Sequence, residues 1–515
     1  MREQLALLPG YLLAHLQLTL VALGVGTLAS VPLGIVVTRR RALEGPVLGF
    51  ASVVQTVPSL ALLAIMVPAL AALGALTARV AGFEVRSIGY LPAILALTLY
   101  GMLPILRNTV AGIEGVDPAL REAAAGVGMT GAESLRRVEL PLALPVIVAG
   151  IRTASVWIVG TATLSTPVGA TSLGNYIFSG LQTRNLAAVG VGCAAAAALA
   201  VALDQTIRGV EVGVRERRPG LRRACAGLLV ALCAVTAVST AASLRAPADA
   251  AVRIGAKTFT EQYVLADILA RWLEREARLP SETRSSLGST VAFDALAAGD
   301  LDVYVEYTGT IWTTLMKREG ALPPRAEVRA QVEAWLRGRG VAVACALGFE
   351  NAYALGMRAD HARALGVARI GDLAPVAPRL EIGGDFEFFS RAEWRTLETT
   401  YGLAFRAERT MDPSLMFPAL AAGQVDVISA YSTDGRLAAQ AVVLLDDDRG
   451  VIPPYDALVL ASGRFARERP EALAALRRLE GSIDRAAMQR MNDAVDAAGR
   501  SPAEVARAFV DARRP

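Results

Sequence analysis

The sequence predicts two joined architectures: an all-α polytopic membrane domain of six transmembrane helices, followed by an α/β domain of two lobes. Three observations carry this. Hydrophobic residues fill 53% of the 515 positions, a share too high for one soluble domain. Residues 1–250 hold 19 basic and 12 acidic side chains, a net of +7, whereas residues 251–515 hold 33 and 36, a net of −3. The first half divides into charge-poor apolar runs of membrane length; the second contains one strand-and-turn text twice.

A span needs about 20 mostly apolar residues. Six runs meet this: Leu12–Thr38, Gly45–Thr77 (with breaks offered by Pro58 and Pro68), Ser87–Leu106, Leu142–Pro167 with Arg152 inside, Asn185–Leu203 and Ala224–Leu244. Arg39–Arg41, then Arg121, Arg136 and Arg137, then Arg208, Arg215, Arg217, Arg218, Arg222 and Arg223 fall in alternate loops. The other loops carry only Arg79, Arg86 and Arg184. The positive-inside rule then places the N-terminus outside, and six crossings return the chain to the outside. The sixth run has a basic start, an apolar core and small residues beyond, the layout of a retained anchor or of a cleaved signal; a tethered second domain favours retention. The expected division is 1–220 for a membrane domain with five core helices, 221–250 for the sixth helix and linker, and 251–515 for an exported domain. Within the last, lobe 1 spans about 252–353 plus 456–515, and lobe 2 about 354–455.

Several functions are excluded. The basic excess belongs to membrane loops, not to a nucleic-acid surface. "GAKT" at 255–258 suggests a phosphate loop, but Ala256 precedes Lys257 and no Gly-Lys pair occurs in the chain. His15 and His361, with scattered Cys193, Cys225, Cys233 and Cys345, present neither metal-ligand spacing nor a disulfide framework. No cofactor is expected, and no catalytic constellation surrounds the single histidine of the second half.

Between the third and fourth runs stands "REAAAGVGMTGAESLRRVELPLALP". Glu122-Ala123-Ala124, Gly128, Val138 and Leu140-Pro141 resemble the EAA signature of ABC importer permeases, with valine for the usual isoleucine. A short helix of small residues can seat closely in a partner's groove, and Pro141 restarts the chain into the next span. "QTVPSLALLAIMVP" and "YGMLPILRNTVAGI" also resemble the osmoprotectant branch of those permeases, of type I architecture, over nearly all of 10–205. The resemblance implies a bacterial cytoplasmic-membrane protein, a separate ATPase subunit docking on 117–139, and a permease homodimer.

The second half repeats itself. "LAAGDLDVYVEYTGTI" from Leu296 and "LAAGQVDVISAYSTDGRL" from Leu420 each run into an alternating strand and reach a tyrosine eleven residues on, Tyr307 and Tyr431. Two α/β lobes on one plan would put both tyrosines at strand ends, where open α/β sheets bind ligands. Thr258-x-x-Glu261 suggests a capping box opening a helix whose face carries Val264, Leu265, Ile268, Leu269, Trp272 and Leu273. Lys257, one of two lysines among 52 basic residues, would sit just ahead of that helix and form a compact anion site.

Residues 252–515 resemble the substrate-binding proteins, of type II periplasmic architecture, that serve glycine betaine, carnitine and choline importers. The matching pieces are "IGAKTFTEQ", "DVYVEYTGT", "ENAYAL", "FFSR", "AYSTDGRL" and "PPYDALVL". The resemblance implies an aromatic cage of Tyr307, Tyr353, Tyr431 and Tyr455 for a quaternary ammonium, Asn351 at its wall, and Lys257, Thr310 and Arg391 at the polar end. A quaternary ammonium has no N–H to donate, so electron-rich ring faces must hold it, at about 0.5–2 kcal/mol each. "SRAEW" departs from the usual glycine-containing text after the arginine. The expected function is a fused permease and binding protein, not an enzyme, importing compatible solutes. The alternatives are another betaine such as ergothioneine, or a tethered chemosensory receptor, which would need a cytoplasmic signalling domain that the loops do not supply.

Overall fold

The computed structural model describes residues 2–81, 87–182, 185–245, 251–318, 322–439 and 441–513. Arg86, Arg184 and Ala250 lie outside them. The chain divides into two compact units, Met1–Phe178 with Ala187–Ala248, and Ser179–Leu186 with Asp249–Pro515.

The first unit is helical: α1 (Arg2–Arg39), α2 (Glu44–Thr56), α3 (Ser59–Ala81), α4 (Tyr90–Glu114), α5 (Pro118–Gly126), α6 (Gly131–Ser134), α7 (Leu140–Ala162), α8 (Gly174–Gln182), α9 (Leu186–Arg215) and α10 (Pro219–Arg245). A π-helical segment, Leu135–Glu139, joins α6 to α7. Among the described residues, five helices are long and apolar enough to cross a membrane, and a sixth span results if the bent pair Arg41–Thr56 and Ser59–Gly74 is one crossing. That pair turns through 103° at Pro58, where Val57 is extended, as a residue before proline prefers. Pro68, the other expected break, lies inside α3. The third span begins later than expected and runs past Arg107 to Glu114; Asn108 turns its amide back to the Pro104 carbonyl, so its polarity does not end the helix.

Helix α4 is the most enclosed of the spans, packed between α1 and α7. A Cβ on Gly34 would stand 2.7 Å from the Thr109 side chain, and one on Gly150 would stand 2.8 Å from the Pro104 carbonyl. Such close backbone approach substitutes in lipid for the hydrophobic effect. Arg152 on α7 is not an unpaired charge: its guanidinium grips Asp204 on α9 through two bonds of 2.9 and 3.1 Å and reaches Glu211 at 3.2 Å. This neutralisation explains why α9 continues to Arg215, well beyond the expected end at Leu203.

The second unit holds two five-stranded sheets. One is ordered β2-β1-β3-β10-β4, from β1 (Val252–Lys257), β2 (Ser281–Leu287), β3 (Val303–Tyr307), β4 (Val341–Glu350) and β10 (Asp456–Ser462). The other is ordered β7-β6-β8-β5-β9, from β5 (Tyr353–Arg358), β6 (Glu381–Gly384), β7 (Ala407–Thr410), β8 (Val427–Tyr431) and β9 (Val442–Leu444). Their pairing is the same: two parallel joins, then two antiparallel ones. The repeated text therefore marks a structural repeat, with Tyr307 and Tyr431 each ending the central strand. Even the matched aspartates act alike, since Asp302 accepts from the Arg253 backbone N–H and Asp426 from that of Glu381, both at 2.9 Å. The chain passes between the sheets at 350–353 and again between β9 and β10.

One local expectation fails. Helix α11 (Thr260–Ala277) has Phe259 at its N-cap with no side-chain cap bond, so Thr258 and Glu261 form no capping box. The helix starts a residue later, and Glu261 turns inward and is buried.

Candidate ligand-binding site

Glu261 organises the region between the two sheets. One oxygen accepts from the Tyr307 hydroxyl and from the Asn351 amide at 3.0 Å; the other accepts from Thr433 Oγ1 at 2.5 Å and from the Asn492 amide at 3.2 Å. Tyr307 and α11 belong with the first sheet, Thr433 follows β8 of the second, Asn351 lies on the crossing segment, and Asn492 is on helix Arg485–Asp496. Burial raises the Glu261 pKa, partly offset by these donors. Burial and the adjoining carboxylate hold the Tyr307 hydroxyl far above its ordinary range.

Aromatic rings gather beside this carboxylate. Tyr353 lies 4.9 Å from Tyr431 and 5.9 Å, edge-on, from Tyr455. Phe259 stacks toward Tyr431 at 5.9 Å and toward Tyr307 at 6.2 Å, linking rings carried by both sheets. The four tyrosines named from sequence thus come together, with Phe259 of the "IGAKTFTEQ" text as a fifth ring. Tyr455 is seated by Gly309, where an added Cβ would meet its ring at 2.5 Å.

The polar end differs from expectation. Lys257 is buried, with Nζ 2.5 Å from Glu306 Oε1 and 4.8 Å from the Tyr307 ring centroid. Gly255 pairs with Tyr304 across the parallel join, so two residues on Lys257 lies beside Glu306. The lysine expected at the polar end is thus paired with a buried glutamate in this structure. Arg391 lies 5.0 Å over the Tyr353 ring and donates to the Tyr455 hydroxyl at 3.1 Å. Tyr455 donates in turn to Glu393, which lies 3.8 Å from Arg391. Glu393 belongs to the "SRAEW" departure, so that text inserts an acid against the cage. Thr310 is buried in the turn after β3, but Thr308 ties that turn to the second crossing, accepting from the Asp456 N–H at 2.9 Å and donating to the Pro454 carbonyl at 2.6 Å.

A small cavity, ≈ 50 Å³, opens among Phe259, Glu261, Asn351, Tyr431, Thr433 and Asn492. Asn351 and Asn492 are each 4% exposed. Both turn their amide NH2 groups to Glu261, which leaves their Oδ1 atoms facing elsewhere; among the described residues no donor reaches either oxygen. Thr433 stands inside the quoted "AYSTDGRL" but was not singled out, and Asn492 lies in no quoted motif; their roles depend on chain returning from 172 and 231 positions away.

In the first unit, α5 carries Glu122, Ala123 and Ala124. Glu122 and Ala123 are exposed and Ala124 is buried. Asp117 caps the helix by accepting from Ala119 N–H, and Leu120 and Val127 are exposed large apolar side chains. Gly128 has φ +82°, and the Met129 N–H reaches back to the Ala124 carbonyl. The glycine thus ends the helix in the left-handed conformation that suits a residue without Cβ. Leu140 and Pro141 open α7.

Residues 250–512 match the family described as the substrate binding domain of ABC-type glycine betaine transport system, and residues 30–206 match the binding-protein-dependent transport system inner membrane component. The chain belongs to this transporter family. It is a fused permease and binding protein of the osmoprotectant ABC importer type, and a multi-pass membrane protein. The ergothioneine transport permease/ergothioneine binding protein EgtU of Helicobacter pylori is 29% identical over 92% of this chain and 84% of its own length. The glycine betaine/carnitine/choline transport system permease protein OpuCB of Bacillus subtilis is 42% identical over 38% of this chain and 82% of its own. The carnitine transport binding protein OpuCC of Listeria monocytogenes is 30% identical over 50% and 85%.

Proposed function

We propose that the protein takes up quaternary-ammonium zwitterions, with the binding unit outside a bacterial cytoplasmic membrane. The observation that carries this is the ring group Phe259, Tyr307, Tyr353, Tyr431 and Tyr455, assembled from five separated segments next to buried carboxylates. Ring faces attract a cation that cannot donate a hydrogen bond. Tyr353, Tyr431, Tyr455 and Tyr307 form the cage in this reading, Asn351 its wall, and Arg391 takes a ligand carboxylate through guanidinium N–H groups. Lys257 and Thr310 support the walls. Hinge closure about the two crossings would commit the ligand to the permease. ATP is hydrolysed by a separate subunit docked on the exposed face of α5, and the permease works as a pair. Calorimetry of the full chain in nanodiscs tests this: glycine betaine, carnitine, choline and ergothioneine should include at least one binder that Tyr431→Leu weakens. Silence from the whole panel would remove the reading.

Within it, one observation favours a betaine that also carries N–H donors. Asn351 and Asn492 line the cavity, and their buried Oδ1 atoms have no donor among the described residues; leaving such groups unmet costs about 1–3 kcal/mol each. Glycine betaine offers no donor, and choline and carnitine offer one hydroxyl. A heteroaromatic betaine with two ring N–H groups, such as ergothioneine, would bring two donors to these residues. Asn351→Leu should then weaken ergothioneine at least tenfold more than glycine betaine.

A further inference from the structure

The charges beneath the first unit's spans form a connected set that the binding site does not use. Glu139 is 2% exposed, at the end of the π-helical segment and one residue before α7. It falls inside the EAA text but at a position the motif leaves open. Its carboxylate accepts twice from Arg39 Nη2, at 2.7 and 2.9 Å, and from Ser134 Oγ at 3.3 Å. Arg39 is the last residue of α1, a hundred positions away. On the other side, Arg121 Nε stands 4.0 Å from the same carboxylate with no closer acceptor among the described residues. Arg121 lies on α5 immediately before Glu122, and its Nη2 donates to the final carbonyls of α4, at 2.5 Å to Ile113 and 3.3 Å to Glu114.

One buried carboxylate therefore touches the end of α1, the exposed helix α5 through Arg121, and the first turn of α7. We infer that Glu139 is a positioning residue that passes movement of α5 to α1 and α7 together, and through Arg121 to α4. The inference rests on the proposal that an ATPase docks on α5. A buried ion held by arginines on two different helices resists separation, because a lone buried carboxylate is strongly disfavoured. The three helices then follow α5 rather than sliding past it. The π-helical turn suits the role, since it supplies a local irregularity where the segment can yield without unwinding α7.

The test uses the full chain with its host's ATPase in proteoliposomes, and radiolabelled glycine betaine and ergothioneine as probes. Glu139→Gln and Arg39→Gln should each lower uptake of the transported probe at least tenfold, and the ratio of ATP hydrolysis with and without probe should fall toward one. Binding affinity at the outer unit should stay within twofold of wild type. The charge swap Arg39→Glu with Glu139→Arg keeps the ion pair to α1 but sets position 139 against Arg121, so the protein should fold while uptake stays low; full recovery of uptake would remove Arg121 from the inference. Should Glu139→Gln not yield folded protein, Arg39→Lys keeps the charge, loses the fork, and should give intermediate uptake. Wild-type uptake and stimulation in both Glu139→Gln and Arg39→Gln would overturn the inference. Val127→Asp, on the exposed end of α5, separates the two layers. Normal uptake there removes the docking proposal and this inference with it; lost uptake there, with normal uptake in Glu139→Gln, removes only the positioning role.

Discussion

Tyr307 and Tyr431 end equivalent strands of equivalent sheets, yet their surroundings differ. Tyr307 is 2% exposed, and its hydroxyl is fixed by Glu261 and by Gln262 Nε2 at 3.0 Å. The Lys257 ammonium and its partner Glu306 lie against the same strand end. Tyr431 is only partly buried, lines the cavity, and has a hydroxyl contact of 3.2 Å to Tyr353. The duplicated backbone therefore supports two roles: the first copy carries charge and holds the site together, and the second presents a ring to the cavity. Topology was duplicated; chemistry was not.

The largest expected effect lies in the first copy. Lys257→Met strands the fully buried Glu306 and should cost about 3–5 kcal/mol in unfolding free energy, read by denaturant melts of the full chain. Loss of carboxylate-bearing ligands with unchanged stability would instead restore the anion-site reading. Next comes Tyr307→Phe, which removes one donor from Glu261 but keeps the ring. About 1–3 kcal/mol of stability should go, whereas the matching Tyr431→Phe should leave stability unchanged. Equal losses at both positions would erase the contrast.

Third is Tyr431→Leu, which retains apolar area and deletes the ring quadrupole. Binding should weaken by about 0.5–2 kcal/mol, roughly two- to thirtyfold in Kd, with little change in melting temperature. The smallest effect concerns Asp267 on α11, whose carboxyl is pushed up to about 6 by burial, against the opposing charge of Arg271. Because its folded pKa lies above its unfolded value, it favours folding at low pH, and that contribution is lost as pH rises from about 4 through 6. Asp267→Asn should remove this decline, visible as a flatter dependence of melting temperature on pH.

The membrane helices and the repeat were legible for the same reason: both are written as local periodicity. A span must be apolar along its length, and a buried strand must alternate or run apolar, wherever its partners lie. The ends of α4 and α9 were not legible, because Asn108 bonds back to its own helix and Arg152 neutralises the acids of α9 from another. In the candidate site, the tyrosines could be named from equal offsets and from resemblance. Glu261 was misjudged because a carboxylate three residues after threonine is locally indistinguishable from a cap. Its actual partners, Thr433 and Asn492, arrive only through tertiary folding. Glu306 was missed likewise, since an acid in an alternating strand suggests solvent until β1 brings Lys257 beside it.

The most direct test of the central claim is calorimetric titration of the full chain in nanodiscs, wild type beside Tyr431→Leu, with glycine betaine, carnitine, choline and ergothioneine. The account predicts saturable binding of at least one trimethylammonium compound, weakened two- to thirtyfold in Tyr431→Leu. Among the wild-type titrations, ergothioneine should bind more tightly than glycine betaine. Absence of binding to every member, or unaltered affinity in Tyr431→Leu, would contradict it.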